Sequence, residues 1–201
     1  MFTATCDQTC LNRMLKIECC SKHTYKKVTN CAHGLNCDNR CFSTKLIYNL
    51  IDCNDGNKGF GIKIRVHVPA NSFIIEYVGE VICTDQMNQR MVIQRREKPH
   101  NFYIMSFEKG FYIDGRLKGN ESRFINHSWD PNCNVERWNV QGRTRIGIFA
   151  IKDLLAGDFL SIDYSRLETS EESIFGCECG SINCRGTLAI SHIVLNKRRK
   201  I

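Results

Sequence analysis

Between residues 60 and 164, apolar positions recur at short, mostly two-residue spacing. The runs FGIKIRVHV (60–68), SFIIEYVGEVI (72–82), FYIMSF (102–107), FYI (111–113), RIGIFAI (145–151) and DFLSIDY (158–164) are alternating or continuously apolar, and turn residues separate them. This pattern predicts short strands in small sheets rather than parallel βαβ units. One segment keeps a helical period: TDQMNQRMVIQRREK, 84–98, puts Met87, Met91 and Gln94 on one face behind Thr84 as N-cap. Arg90, Arg95 and Arg96 give that helix positive charge, for a substrate or for a solvated face. GNESRFINH, 119–127, suits one or two helical turns, and DCNDGNKG, 52–59, is a strong turn signal. SRLETSEESIFG, 165–176, is polar and reads as a mobile loop, and no packed strand is expected beyond Cys184.

Composition adds two facts. Hydrophobic residues make up 42% of 201, enough for a core, and no apolar run approaches the length of a membrane span. The N-terminus lacks the basic-then-apolar order of a signal peptide. The thirteen cysteines are segregated: seven lie between Cys6 and Cys41, three between Cys177 and Cys184, and only Cys53, Cys83 and Cys133 between. A disulfide scaffold staples a chain too small for a core, whereas clustered cysteines flanking an apolar middle point to zinc. Cys53 and Cys83 read as ordinary buried thiols. The net charge of +7 favours polyanions or partners attached to them, and the run NKRRK (Asn196–Lys200) suits nuclear import, phosphate contact or a solvated end.

Seven motifs stand in order: KGFGIK, EYVGEV, NFYIM, GNESRFINHSWDPNC, RIGIFAIKDLLAGD, IDY and CECGSINCRG. Together they resemble a SET-domain protein lysine methyltransferase. Residues 6–42 resemble the zinc-binding AWS module of the Ash/NSD/SET-two group, and the last motif resembles a post-SET segment. The resemblance implies a mainly β fold with few short helices, its small antiparallel sheets built around a pseudoknot. It divides the chain into an AWS-like module (1–42), a SET domain (43–165), a linker (166–176) that lies over the lysine channel, a post-SET zinc motif (177–190) and a basic tail (191–201).

The resemblance also implies roles. S-adenosylmethionine is the cofactor, held by Lys58, Gly59, Phe60 and Gly61, by Asn101, Phe102 and Tyr103, by Arg123, Asn126 and His127, and by Phe175 and Glu178. Tyr164 is the catalytic tyrosine, whose hydroxyl orients the lysine amine. Alignment of amine and donor in a narrow channel can supply much of the barrier reduction. Ile162, where the group carries Phe or Tyr, leaves space for more than one methyl. Cys6, Cys19, Cys31 and Cys37 make one four-thiolate zinc site. Cys6 and Cys10 belong to a second ion, whose upstream Cys-x-Cys partners are not in this sequence; Cys20 and Cys41 are spare. Cys177, Cys179 and Cys184 bind a C-terminal zinc, but Trp129 stands where the group has the fourth cysteine, and Cys133 is its tentative substitute. The implied partners are the histone H3 tail, with lysine 36 as target, the nucleosome and DNA phosphates, in the nucleus. Two other readings stay open: a catalytically weak SET module serving as a chromatin-binding scaffold, and a secreted disulfide-rich binding protein.

Overall fold

The computed structural model describes residues 6–7, 9–19, 31, 37–44, 48–97, 103–164 and 173–190. The described residues form short strands in five small sheets. Two of these sheets have three strands. In one, β3 (Phe73–Tyr77), β9 (Arg143–Ala150) and β8 (Cys133–Val140) lie in the order β3-β9-β8, all antiparallel. In the other, β4 (Glu80–Cys83), β6 (Phe111–Asp114) and β5 (Ile104–Glu108) lie in the order β4-β6-β5. β1 (Leu50–Asn54) pairs antiparallel with β2 (Phe60–Ile64) across the turn that DCNDGNKG signals. The fourth sheet is a two-residue parallel pair, β7 (Asn126–His127) with β10 (Ser161–Ile162).

The core explains the sequence pattern. Ile62, Ile64, Ile74, Ile113, Ile125, Ile146, Ile148, Leu154, Leu160 and Ile162 form one buried cluster where the sheets meet. β3 is buried on both faces except at Glu76, hence its continuously apolar run. The β8–β9 hairpin closes through Gln141 and Gly142, both at positive φ, which matches strand twist in a two-residue turn.

The helix expected from Thr84 is α3 (Thr84–Glu97). Its Met87 and Met91 pack against Ile82, Ile104 and Tyr112. Thr84 is not its N-cap. The Thr84 hydroxyl donates to the Gly110 carbonyl, and Gln86 Oε1 accepts from the Cys83 N–H. Arg90 is not available to a substrate, because its guanidinium bonds both Glu80 (3.0 Å) and the buried Asp114 (2.7 Å). The GNESRFINH turn is a 3-10 helix, Glu121–Phe124, capped by Asn120.

The linker expectation needs correction. β11 (Ser173–Gly176) and β12 (Thr187–Ile190) form an antiparallel hairpin, so the loop ends in a strand and a strand follows Cys184. Each partner is short and unremarkable alone; only their pairing makes them strands. Residues 165–172, with Leu167, lie outside the described residues. Among the described residues, no helix is long and apolar enough to cross a membrane.

The N-terminal module is attached at two points. Glu18 N donates to the Asn139 carbonyl and Asn139 N to that of Lys16, which extends the β8 edge. The buried Glu18 carboxylate then accepts from Phe42 N (2.7 Å) and Ser43 N (3.0 Å) at the start of α2 (Cys41–Thr44). These bonds hold Phe42 against Phe73, Trp138 and Phe149. The rings close over Gly147, where a Cβ would lie 2.6 Å from Phe149 and 2.7 Å from Phe42. Substituting Gly147→Ala should therefore cost about 1–3 kcal/mol by overpacking, read as a lower urea midpoint with unchanged slope. An unaltered midpoint would contradict this account of the aromatic cluster.

Candidate active site

The site forms where two segments distant in sequence are tied side by side. β7 pairs Asn126 with Ser161 and His127 with Ile162. Ser128 N continues the ladder to the Ile162 carbonyl (3.0 Å). Asn132 then straps the second segment: its Nδ2 donates to the Phe159 carbonyl (2.7 Å), and its Oδ1 accepts from Ser161 N (2.8 Å). The Pro131 turn thus delivers a side chain that pins the strand leading to Tyr164.

Tyr164 is locked at both ends. Its N–H donates to His127 Nδ1 (3.0 Å) and its hydroxyl to the Ile125 carbonyl (2.6 Å). Burial raises its pKa above that of an ordinary phenol, so the hydroxyl stays protonated at neutral pH. His127 is pushed the other way, chiefly by burial, and is neutral at pH 7. Since Nδ1 accepts, the proton sits on Nε2, a buried atom with no hydrogen-bond partner among the described residues. A second buried tyrosine, Tyr77, donates to the Tyr103 carbonyl (2.6 Å), and burial raises its pKa as well.

Beside Asn126 lies the 55–61 turn. Asn126 Nδ2 donates to Asp55 Oδ2 (3.0 Å) and the Phe60 carbonyl (3.1 Å), and Lys58 pairs with Asp55 at 2.7 Å. Gly61 is required here, since a Cβ would sit 2.9 Å from Asp55 and 3.1 Å from Asn126 Nδ2. Phe60 is exposed, its ring 6.2 Å from Phe124. This recess combines a carboxylate, an ammonium, a backbone carbonyl and the exposed Phe60 ring. Its donor set fits a ligand with a charged amino-acid end and a flat aromatic end. A cavity of about 590 Å³ is lined by Met105, Ser106, Trp129, Pro131, Ile146 and Asp163, among others; Asp163 precedes Tyr164, which is not in the lining.

Two cysteine clusters flank these parts. The sulfurs of Cys6, Cys19, Cys31 and Cys37 lie within 4.8 Å of one another, with Cys6 and Cys31 at 3.6 Å. Four sulfurs about 2.3 Å from one ion would be separated by about 3.8 Å, so the group has the size of a tetrahedral zinc site. Cys19 also accepts from the Asn12 and Asn39 side-chain amides, both at 3.3 Å, as a thiolate ligand does. Burial pushes Cys37 up to about 12, a state a bound dication would reverse. Cys177, Cys179 and Cys184 form a second group of three within 4.8 Å.

Several expected residues fall elsewhere. Cys133 is in the main core on β8, outside the C-terminal thiol group, and burial raises its pKa to about 12. A residue on that ladder, paired with Ala150, is held away from the hairpin. Cys10, expected with Cys6 at a second ion and not in the group of four, packs beside that group. Cys41 is half-buried at α2, and Cys53 and Cys83 are half-buried on their strands. The Arg123 guanidinium donates to the carbonyls of Gly115 (3.2 Å) and Arg116 (3.1 Å), bracing that loop, and lies over the Phe124 ring at 4.6 Å. Glu178 is exposed between two of the thiols. Asn101, Phe102 and Cys20 lie outside the described residues, as does the Phe175 side chain. Tyr77, Asp55 and Asn132 were not expected at the site. Tyr77 stands in the quoted EYVGEV motif, so a signal existed for it, but Asp55 and Asn132 gave none beyond turn chemistry.

The chain is 37% identical to the histone-lysine N-methyltransferase SETD2 of Homo sapiens over 183 residues, 91% of this chain and 7% of that protein. It is 35% identical to the Mus musculus histone-lysine N-methyltransferase, H3 lysine-36 specific, over 92% of this chain and 7% of the relative. Histone-lysine N-methyltransferase ASHR3 of Arabidopsis thaliana matches at 37% over 91% of this chain and 34% of its own length. Thus the chain spans a small part of these relatives. A solved chain of ctPRC2, in an autoinhibited conformation bound to S-adenosylmethionine, superposes with a TM-score of 0.60 at 29% identity, covering 66% of this chain and 17% of that one. The sequence model of the SET domain matches residues 59–165. With this match over more than half its length, the chain belongs to the SET domain family.

Proposed function

We propose that this chain is the catalytic part of an S-adenosylmethionine-dependent protein lysine methyltransferase acting on histone H3 in nucleosomes, at lysine 36. The observation that carries the reading is the juxtaposition of the Asn126 recess with Tyr164 across the β7–β10 pair. Relatives named as H3 lysine-36 specific support the target, and the S-adenosylmethionine-bound structural neighbour supports the cofactor. The Cys6 group supports one N-terminal zinc. A nuclear, chromatin setting follows from the substrate, and the net charge of +7 suits phosphate contacts.

When bound, S-adenosylmethionine supplies a methyl group activated by its sulfonium charge. The chain's own residues prepare the acceptor. A free lysine titrates at about 10.4, and burial beside Tyr164 lowers that value toward the neutral amine. The Tyr164 hydroxyl, protonated and fixed on the Ile125 carbonyl, orients the amine without removing its proton. Ile162, buried and without a hydroxyl, does not hold a methylated amine by hydrogen bonding. Asn126 holds the 55–61 turn in the conformation that forms the recess.

The test is transfer of labelled methyl from S-adenosylmethionine to recombinant nucleosomes. Label should enter histone H3 and vanish when its lysine 36 is replaced by arginine; label on another lysine would overturn the target. Tyr164→Phe should keep the fold and lose about a hundredfold in rate through misplacement of the amine, while turnover like that of the native chain would remove Tyr164 from the mechanism. Asn126→Ala gives up two hydrogen bonds, about 1–3 kcal/mol in all. Calorimetry should show S-adenosylmethionine bound about ten- to a hundredfold more weakly, and unchanged affinity would refute the assigned recess.

A further inference from the structure

Three thiols meet at Cys177, Cys179 and Cys184, and among the described residues no fourth Cys, His, Asp or Glu joins them. A closed structural zinc site takes four protein ligands. The side facing the core is held instead by Trp129. Its indole N–H donates to the Thr187 carbonyl at the start of β12 (3.2 Å). The Arg185 guanidinium lies over its ring at 4.1 Å. On the core side, its ring meets His127 edge-on, centroids 4.9 Å apart at 89°. One side chain thus touches two residues of the 173–190 hairpin and one of β7, and it also lines the cavity beside Asp163.

We propose that Trp129 is the positioning residue that docks the C-terminal cysteine hairpin onto the core, doing by an indole hydrogen bond and a cation–π contact what a fourth metal ligand would otherwise do. Docking then rests on this side chain rather than on a metal bond from hairpin to core. The three thiols fix the hairpin's internal shape: Cys184 Sγ accepts from Gly186 N (3.4 Å), and Cys177 N donates to the Gly186 carbonyl (3.0 Å).

Hydrogen exchange on the full chain, read by mass spectrometry, tests this without any activity measurement. Local opening of 173–190 sets the exchange of its amides, and the β8–β9 hairpin reports global integrity. Trp129→Ala should speed exchange across 173–190 by well over about tenfold and leave 133–150 unchanged. Trp129→Phe keeps the ring for Arg185 and His127 and loses only the indole N–H, so exchange should rise about fivefold, a partial rescue. Arg185→Gln should raise it about threefold. Cys184→Ser, which weakens any metal site, should loosen the hairpin less than Trp129→Ala does. If the alanine variant does not fold, the Phe and Gln variants decide. Native exchange in Trp129→Phe and Arg185→Gln, or a hairpin freed by Cys184→Ser but not by the Trp129 changes, would overturn the proposal.

Discussion

Everything at the site depends on two residues of parallel pairing. Asn126 opposite Ser161 and His127 opposite Ile162 make a very short ladder, and short ladders are weak unless other bonds hold them. Here they do. Ser128 adds one backbone bond, Asn132 adds two from its side chain, and Tyr164 closes both ends through His127 and Ile125. These bonds lie in a region packed by Ile125, Leu160 and Ile162, where a lost partner would go unreplaced by water. His127, Ser128 and Asn132 therefore stabilise the fold as well as shape the site.

The flanking modules are joined to this centre through aromatic side chains and the hydrogen bonds that orient them. At the N-terminal side, the Glu18 carboxylate and the Phe42 ring tie a thiol cluster to β8 and β9. At the C-terminal side, Trp129 connects the cysteine hairpin to the segment that carries Asn126 and His127. Both anchors are aromatic, with a hydrogen bond fixing their orientation. A ring supplies a large contact area at little entropic cost, which suits a joint between small modules.

Local physics made part of this legible. The two-residue period placed the strands around the core, and Met87 with Met91 placed a helix within one residue of its observed end. The cysteine segregation pointed to metal, and it was the family resemblance that named the INHS and IDY motifs and the Cys6, Cys19, Cys31 and Cys37 group, which the fold brings together. What stayed hidden depends on distant partners. The β11 and β12 segments become strands only by pairing with each other. Asp55 gains its role from Asn126, 71 residues away. Arg90, which looked free to meet a substrate, is claimed by Glu80 and Asp114 across the second sheet. Trp129 read as a loss of a ligand because its compensating contacts, Thr187 and Arg185, lie more than fifty residues on.

The central claim is that the 55–61 turn, β7 and the approach to Tyr164 form one binding surface for S-adenosylmethionine. The most direct measurement is an amide chemical-shift titration of the isotope-labelled chain with that cofactor. The account predicts saturable shifts at Phe60, Gly61, Asn126, His127 and Tyr164, with Gln141 and Gly142 at the far hairpin turn unmoved. Shifts confined to the β8–β9 hairpin or the N-terminal thiol cluster, with the Asn126 and Tyr164 amides still, would contradict it.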